Sequence, residues 1–167
     1  LVRQRVLDHL RTQARGPEWR AGKAEQAALL TRIGAADIAA TLWESTITLD
    51  APAPWVGLGT AYAKSGRIEE ALKCYDRAIG MGDAGARLHK AQALMRAGRS
   101  DAAAAEVDGA LAANPENVRA WAMRAVIAEA AGQAEEALAA QGKIADLGRG
   151  RVGLAKAHMR AGRFEEA

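Results

Sequence analysis

Small and apolar positions return along this chain at a fixed distance from glycine. Gly34, Gly66, Gly98, Gly132 and Gly162 are separated by 32, 32, 34 and 30 residues. Seven residues before each stands a small residue: Ala27, Gly59, Ala91, Ala125 and Ala155. Five residues after each stands an alanine: Ala39, Ala71, Ala103, Ala137 and Ala167. A period of this length marks a helical repeat whose single unit cannot bury its own apolar face. The glycine predicts the end of a first helix, because a left-handed turn there tolerates no side chain at low cost. The acidic pairs that follow, Glu69-Glu70, Glu135-Glu136 and Glu165-Glu166, predict the start of a second helix, where negative charge meets the positive end of the helix dipole. The two columns of small residues predict where the two helices cross closely.

The second repeat is the most complete. Trp55, Leu58, Gly59, Tyr62, Gly66, Ala71, Tyr75 and Ala78 carry the spacing W-x-x-L-G-x-x-Y, then alanine, then an aromatic. Trp121, Ala125, Gly132 and Ala137 repeat part of it, and Ala103, Ala110 and Pro115 match its second half. This pattern resembles the tetratricopeptide repeat family, whose unit is about 34 residues. The resemblance implies an all-α fold, a right-handed superhelical solenoid of antiparallel helix pairs over residues 18–167. It gives about four and a half repeats: 20–51, 52–83, 84–117, 118–147 and a truncated 148–167. Residues 1–17 stand outside it. Val2, Val6, Leu7 and Leu10 form one apolar face of a flanking or capping helix closed by Gly16-Pro17. The chain stops midway through the fifth repeat and opens on Leu1, which reads as a piece of a longer protein.

The sequence departs from the family pattern at definite places. Lys23, Arg87 and Arg151 stand where Trp55 and Trp121 stand in their repeats, and Gln26, Lys90 and Arg124 replace the equivalent of Leu58. The proline expected at the end of the second repeat is Asp83. The short interval before Gly162 predicts a shortened helix or altered stacking near Leu147-Gly148-Arg149-Gly150.

Composition agrees with helices. Half the residues are hydrophobic but only 4% are aromatic, and a strand-rich core would draw on aromatic and β-branched residues. Net charge is +3, from 23 basic and 20 acidic residues without like-charge blocks; nucleic-acid binders show clustered basic residues instead. No apolar run reaches membrane-spanning length. One cysteine, Cys74, rules out an internal disulfide framework and any site built on several cysteines. The thiol usage fits cytoplasm or periplasm, with the cytoplasm favoured, and the abundance of alanine, glycine and arginine fits a high-GC bacterial source.

Candidate chemistry is thin. His9, His89 and His158 fall in different repeats or flanks, without an i, i+4 partner, and read as surface or packing residues. Cys74 has no neighbouring histidine or positive helix end of the kind that activates a thiolate. Gly57-Leu58-Gly59 and Gly148-Arg149-Gly150 lack the flanking strand of a dinucleotide fingerprint. The chain reads as non-catalytic, with no cofactor and no metal.

The family resemblance implies a groove lined by the first helix of each pair, in which partner peptides lie. The matching positions are Val56, Thr60 and Lys64; Leu88, Gln92, Met95 and Arg96; Arg119 and Val126; and Lys156, Met159 and Arg160. Steps of three and four residues place such positions on one helix face. The groove is expected to be small and apolar, rimmed by basic residues, and to suit a protein or peptide partner with apolar anchors and acidic flanks. The positions that would carry a clamp for two carboxylates hold Val56, Thr60, His89, Arg119 and Met123, so that subfamily is disfavoured. The expected function is a protein-interaction scaffold. The alternative is the accessory arm of a larger enzyme or of a secretion or assembly machine. An RNA-reading helical repeat is disfavoured because the inner positions are mainly alanine and aliphatic; nucleic acid is not expected as a partner. Self-association through the flanking helix or the cut repeat is a further expectation.

Overall fold

The structure is a computed structural model that describes residues 17–47 and 51–148, with side chains from residue 21. Residues 1–16 of the expected flanking helix and 149–167 of the expected half repeat lie outside the described residues. Eight α-helices and no strand occur among the described residues: α1 (Pro17–Arg32), α2 (Ala36–Glu44), α3 (Ala53–Lys64), α4 (Ile68–Gly80), α5 (Ala86–Arg96), α6 (Ser100–Ala113), α7 (Val118–Ala130) and α8 (Ala134–Asp146). They pair as α1/α2, α3/α4, α5/α6 and α7/α8, which is the all-helical architecture the repeat implied. The chain divides into two compact units, 1–83 and 84–167.

Every pair is closed by the same backbone device. Gly34, Gly66, Gly98 and Gly132 have φ of 89°, 81°, 73° and 73°. The amide of the next residue then reaches back five positions, as in Arg67 N to Tyr62 O at 2.9 Å and Arg99 N to Leu94 O at 2.9 Å. These are Schellman turns; they satisfy the carbonyls that a helix end leaves without partners. The column of glycines is therefore a column of left-handed backbone.

The second helices α4 and α6 end by different devices. After α4 the expected proline is absent because Gly82, φ 92°, makes the stop, and the Asp83 amide bonds Ala78 O at 3.0 Å. After α6 the chain uses proline: Asn114 precedes Pro115 and is extended, φ −146° and ψ 94°, the conformation forced on a residue before proline. Asn117 then caps α7, its side-chain oxygen accepting the Ala120 amide at 3.2 Å.

The two small-residue columns sit at the helix crossings. Ala27, Ala39, Ala71, Ala91, Ala103 and Ala125 are fully buried. At Gly59 a Cβ would stand 2.7 Å from Tyr75 Cε1, and at Gly57 one would stand 2.4 Å from the Trp43 indole. Backbone thus lies directly on aromatic ring in the first unit. Around these crossings the first unit buries Leu42, Trp43, Leu58, Tyr62, Leu72 and Tyr75, and the second buries Leu88, Leu94, Val107, Ile127, Leu138 and Ile144. The Tyr62 hydroxyl donates to Glu44 Oε1 at 2.5 Å, and the Arg67 guanidinium lies 4.2 Å from the Tyr62 ring centroid. Burial, then the Glu44 hydrogen bond, pushes the Tyr62 hydroxyl up to about 12.

Gly59→Ala should lower the unfolding free energy by about 1–3 kcal/mol, because Tyr75 must move to admit the methyl group. Gly22→Ala, in α1 with open space around the new methyl, should instead raise it by roughly 0.5–1 kcal/mol. Urea denaturation followed by helical circular dichroism measures both.

Candidate functional site

The expected groove residues have different fates in the two units. In the first unit they are engaged by the fold. The Thr60 hydroxyl donates to Val56 O at 2.8 Å and receives the Tyr75 hydroxyl at 3.4 Å. The Lys64 ammonium donates to Thr31 O at 2.7 Å, in the last turn of α1. There it satisfies a terminal carbonyl and meets the negative end of the helix dipole. Val56 is half-buried.

In the second unit the same columns make a groove. It lies between α5 and α7 and has a volume of about 490 Å³. Gln92, Met95 and Arg96 line it from α5; Arg119, Ala122, Met123 and Val126 line it from α7. Both sets follow steps of three and four residues, so each is one face of its helix. Leu88 is a correction: it is 3% exposed, one turn before Gln92 and turned into the core, and it offers no surface to a ligand. Lys156, Met159 and Arg160 lie outside the described residues. Met123, which stood in the sequence only as a mismatch to a carboxylate clamp, belongs to the groove, as does Ala122. Their signal was the spacing from Arg119 and Val126.

Charge separates the groove from the surface behind it. Arg87 Nη1 bonds Glu106 Oε2 at 3.0 Å and Lys90 Nζ bonds Glu106 Oε1 at 2.6 Å. Arg124 pairs with Glu136 at 3.1 Å and with Asp108 at 3.6 Å. These cations replace the tryptophan and leucine of the family pattern, and carboxylates on the second helices neutralise them. Lys23, the first such replacement, is 6% exposed and reaches Ser45 Oγ at 3.4 Å; burial lowers its pKa.

Arg96 and Arg119 are exposed and have no hydrogen bond or ion pair among the described residues. The helix dipole accounts for Arg96, at the C-terminal end of α5. It does not account for Arg119, the second residue of α7, because a cation at a helix N-terminus is unfavourable by about 0.3–1 kcal/mol. Val126 adds a large apolar side chain that is 51% exposed. The groove therefore offers apolar contact, adaptable methionine surface and two uncommitted positive charges.

Chemistry of other kinds is not assembled. No group of three or more His, Cys, Asp and Glu that could hold a metal occurs among the described residues. Cys74 is buried, and desolvation first, with the Glu44 and Glu70 charges behind it, pushes its thiol up to about 11. No helix among the described residues is long and apolar enough to cross a membrane.

The chain belongs to the tetratricopeptide repeat family, whose model matches residues 18–86, 56–108 and 88–151. The fold is similar to solved structures of MamA. One crystal structure of MamA is 17% identical, with a TM-score of 0.68 over 87% of this chain and 84% of that one. MamA 41-end from Desulfovibrio magneticus RS-1 is 19% identical, with a TM-score of 0.69 over 92% of this chain and 90% of that one. No curated protein matches the sequence. Family and fold together support a scaffold for protein interaction.

Arg96→Ala and Arg119→Ala should each leave stability within about 0.5 kcal/mol of the parent. Glu106→Ala, which removes the carboxylate shared by Arg87 and Lys90, should cost on the order of 1–3 kcal/mol; urea midpoints compare the three. A thiol raised to about 11 stays protonated well above neutral pH. Cys74 should therefore resist an aromatic disulfide reagent at pH 8 in the folded protein and react at once in denaturant, read by absorbance.

Proposed function

We propose that this protein is a non-catalytic scaffold that holds a segment of a partner protein in the groove between α5 and α7. One observation carries the reading above the others. Arg119 stands uncommitted at the end of α7 where the helix dipole opposes it, at the edge of an apolar groove. A partner carboxylate there meets a cation, the positive end of the α7 dipole and apolar surface together. The cation cluster behind the groove is neutralised by Glu106, Asp108 and Glu136, whereas the two arginines that line the groove are left uncommitted among the described residues.

The proposal predicts where a partner touches. Cys74 is the chain's only cysteine and is buried, so a cysteine placed on the surface can be labelled alone. Val126→Cys carrying a photocrosslinker should join to a protein partner in lysate of the source cell, and Asp101→Cys on α6 should not. Adding Arg96→Glu and Arg119→Glu to the first bait should remove the adduct. An adduct formed only from position 101, or capture of nucleic acid without protein, would sink the proposal.

A further inference from the structure

The groove has a length as well as a chemistry, and that length selects a partner pattern. This step rests on the groove reading above. Alternate helices of an antiparallel run are parallel, so α5 and α7 point the same way. Gly98 and Gly132 are 34 residues apart, which puts Arg119 level with position 85 and eleven residues short of Arg96 along the helix axis. At 1.5 Å per residue the two guanidinium-bearing positions are separated by about 16 Å along that axis, and by roughly 18–19 Å once the 8–10 Å between neighbouring helices is included. One cation thus stands near each end of the groove, with Met123 and Val126 between them and Met95 beside Arg96.

An extended chain advances about 3.3 Å per residue, so four steps cover roughly 13 Å. The long arginine side chains take up the difference. Four is an even number, so both ends and the middle residue of such a segment face the same way. Gln92, exposed on the groove face of α5, carries a donor and an acceptor on one planar group, the complement of an unpaired peptide unit. A helical partner has no such unit to offer along its length, because its amides and carbonyls are already paired. We infer that the groove recognises an extended segment of the form acidic–x–apolar–x–acidic, with the two carboxylates on Arg96 and Arg119 and the central side chain against Met123 and Val126.

The test uses the whole chain and three labelled nine-residue or longer peptides, read by fluorescence anisotropy up to about 1 mM. The first carries Glu-Ser-Leu-Ser-Glu at its centre. The second has the same composition with the two glutamates adjacent. The third is an alanine-rich helix with glutamates eleven positions apart. The first should bind about tenfold tighter than either of the others, a difference the loss of one charge-assisted contact supplies. Arg96→Glu and Arg119→Glu should each weaken it by about the same factor, and Gln92→Ala should weaken it less; circular dichroism checks that each variant stays helical. Equal binding of the first two peptides, tighter binding of the helical one, or no binding by any of them would overturn the inference. If the second or third binds best and Arg119→Glu abolishes that binding, the groove remains a protein-binding site and only the spacing is wrong. If none binds, crosslinking from position 126 still decides the groove by itself.

Discussion

The close approach of paired helices is the constraint on which the rest of this structure depends. Two helices can cross with backbone nearly on backbone only where the side chains at the crossing are alanine or glycine. The buried alanines at 27, 39, 71, 91, 103 and 125 meet that condition. Once the crossing is fixed, the turn between the helices has little freedom. Its glycine must enter the left-handed region, and the following amide falls within reach of the carbonyl five residues back. The aromatic residues then have shaped gaps to fill, as Tyr75 does over Gly59.

Much of this was legible in the sequence because it is periodic. Glycine at a left-handed turn and alanine at a crossing have one physical reason each, and that reason returns with every repeat. The ends of the second helices were less legible. The sequence led to the expectation of a proline at position 83, whereas Gly82 stops α4 by backbone conformation. Two devices do one job, and a residue pattern names only one of them. The groove was legible in part. Gln92, Met95, Arg96, Arg119 and Val126 could be placed by helical spacing, and the structure brings them together. Leu88 shares a column with Ala122 yet turns into the core. A large side chain at the border of a face goes to whichever side has room, and spacing alone does not record that.

The basic residues divide in the same way. As letters in the sequence, Lys64, Lys90 and Arg119 look alike. In three dimensions Lys64 closes a helix end through Thr31, Lys90 shares Glu106 with Arg87, and Arg119 has neither task. Partner groups twenty or more residues away in sequence, or on another helix, decide which cation is spent and which remains. The substitutions of Trp and Leu by Arg87, Lys90 and Arg124 show the same point from the other side. An aromatic contact has been exchanged for ion pairs half-shielded from water, and the helix pair persists because the alanine crossings were never involved.

The interleaving of the two sets of positions along one helix has a consequence of its own. On α7, Ala125 faces the crossing and Val126 faces outward, one residue apart in sequence and on opposite errands. A substitution at one alters the exposed surface of the proposed groove; at the other it alters the packing of the pair. Recognition can therefore be rewritten in small steps while the architecture is inherited whole, and a family sharing only its small-residue columns can serve partners with nothing in common.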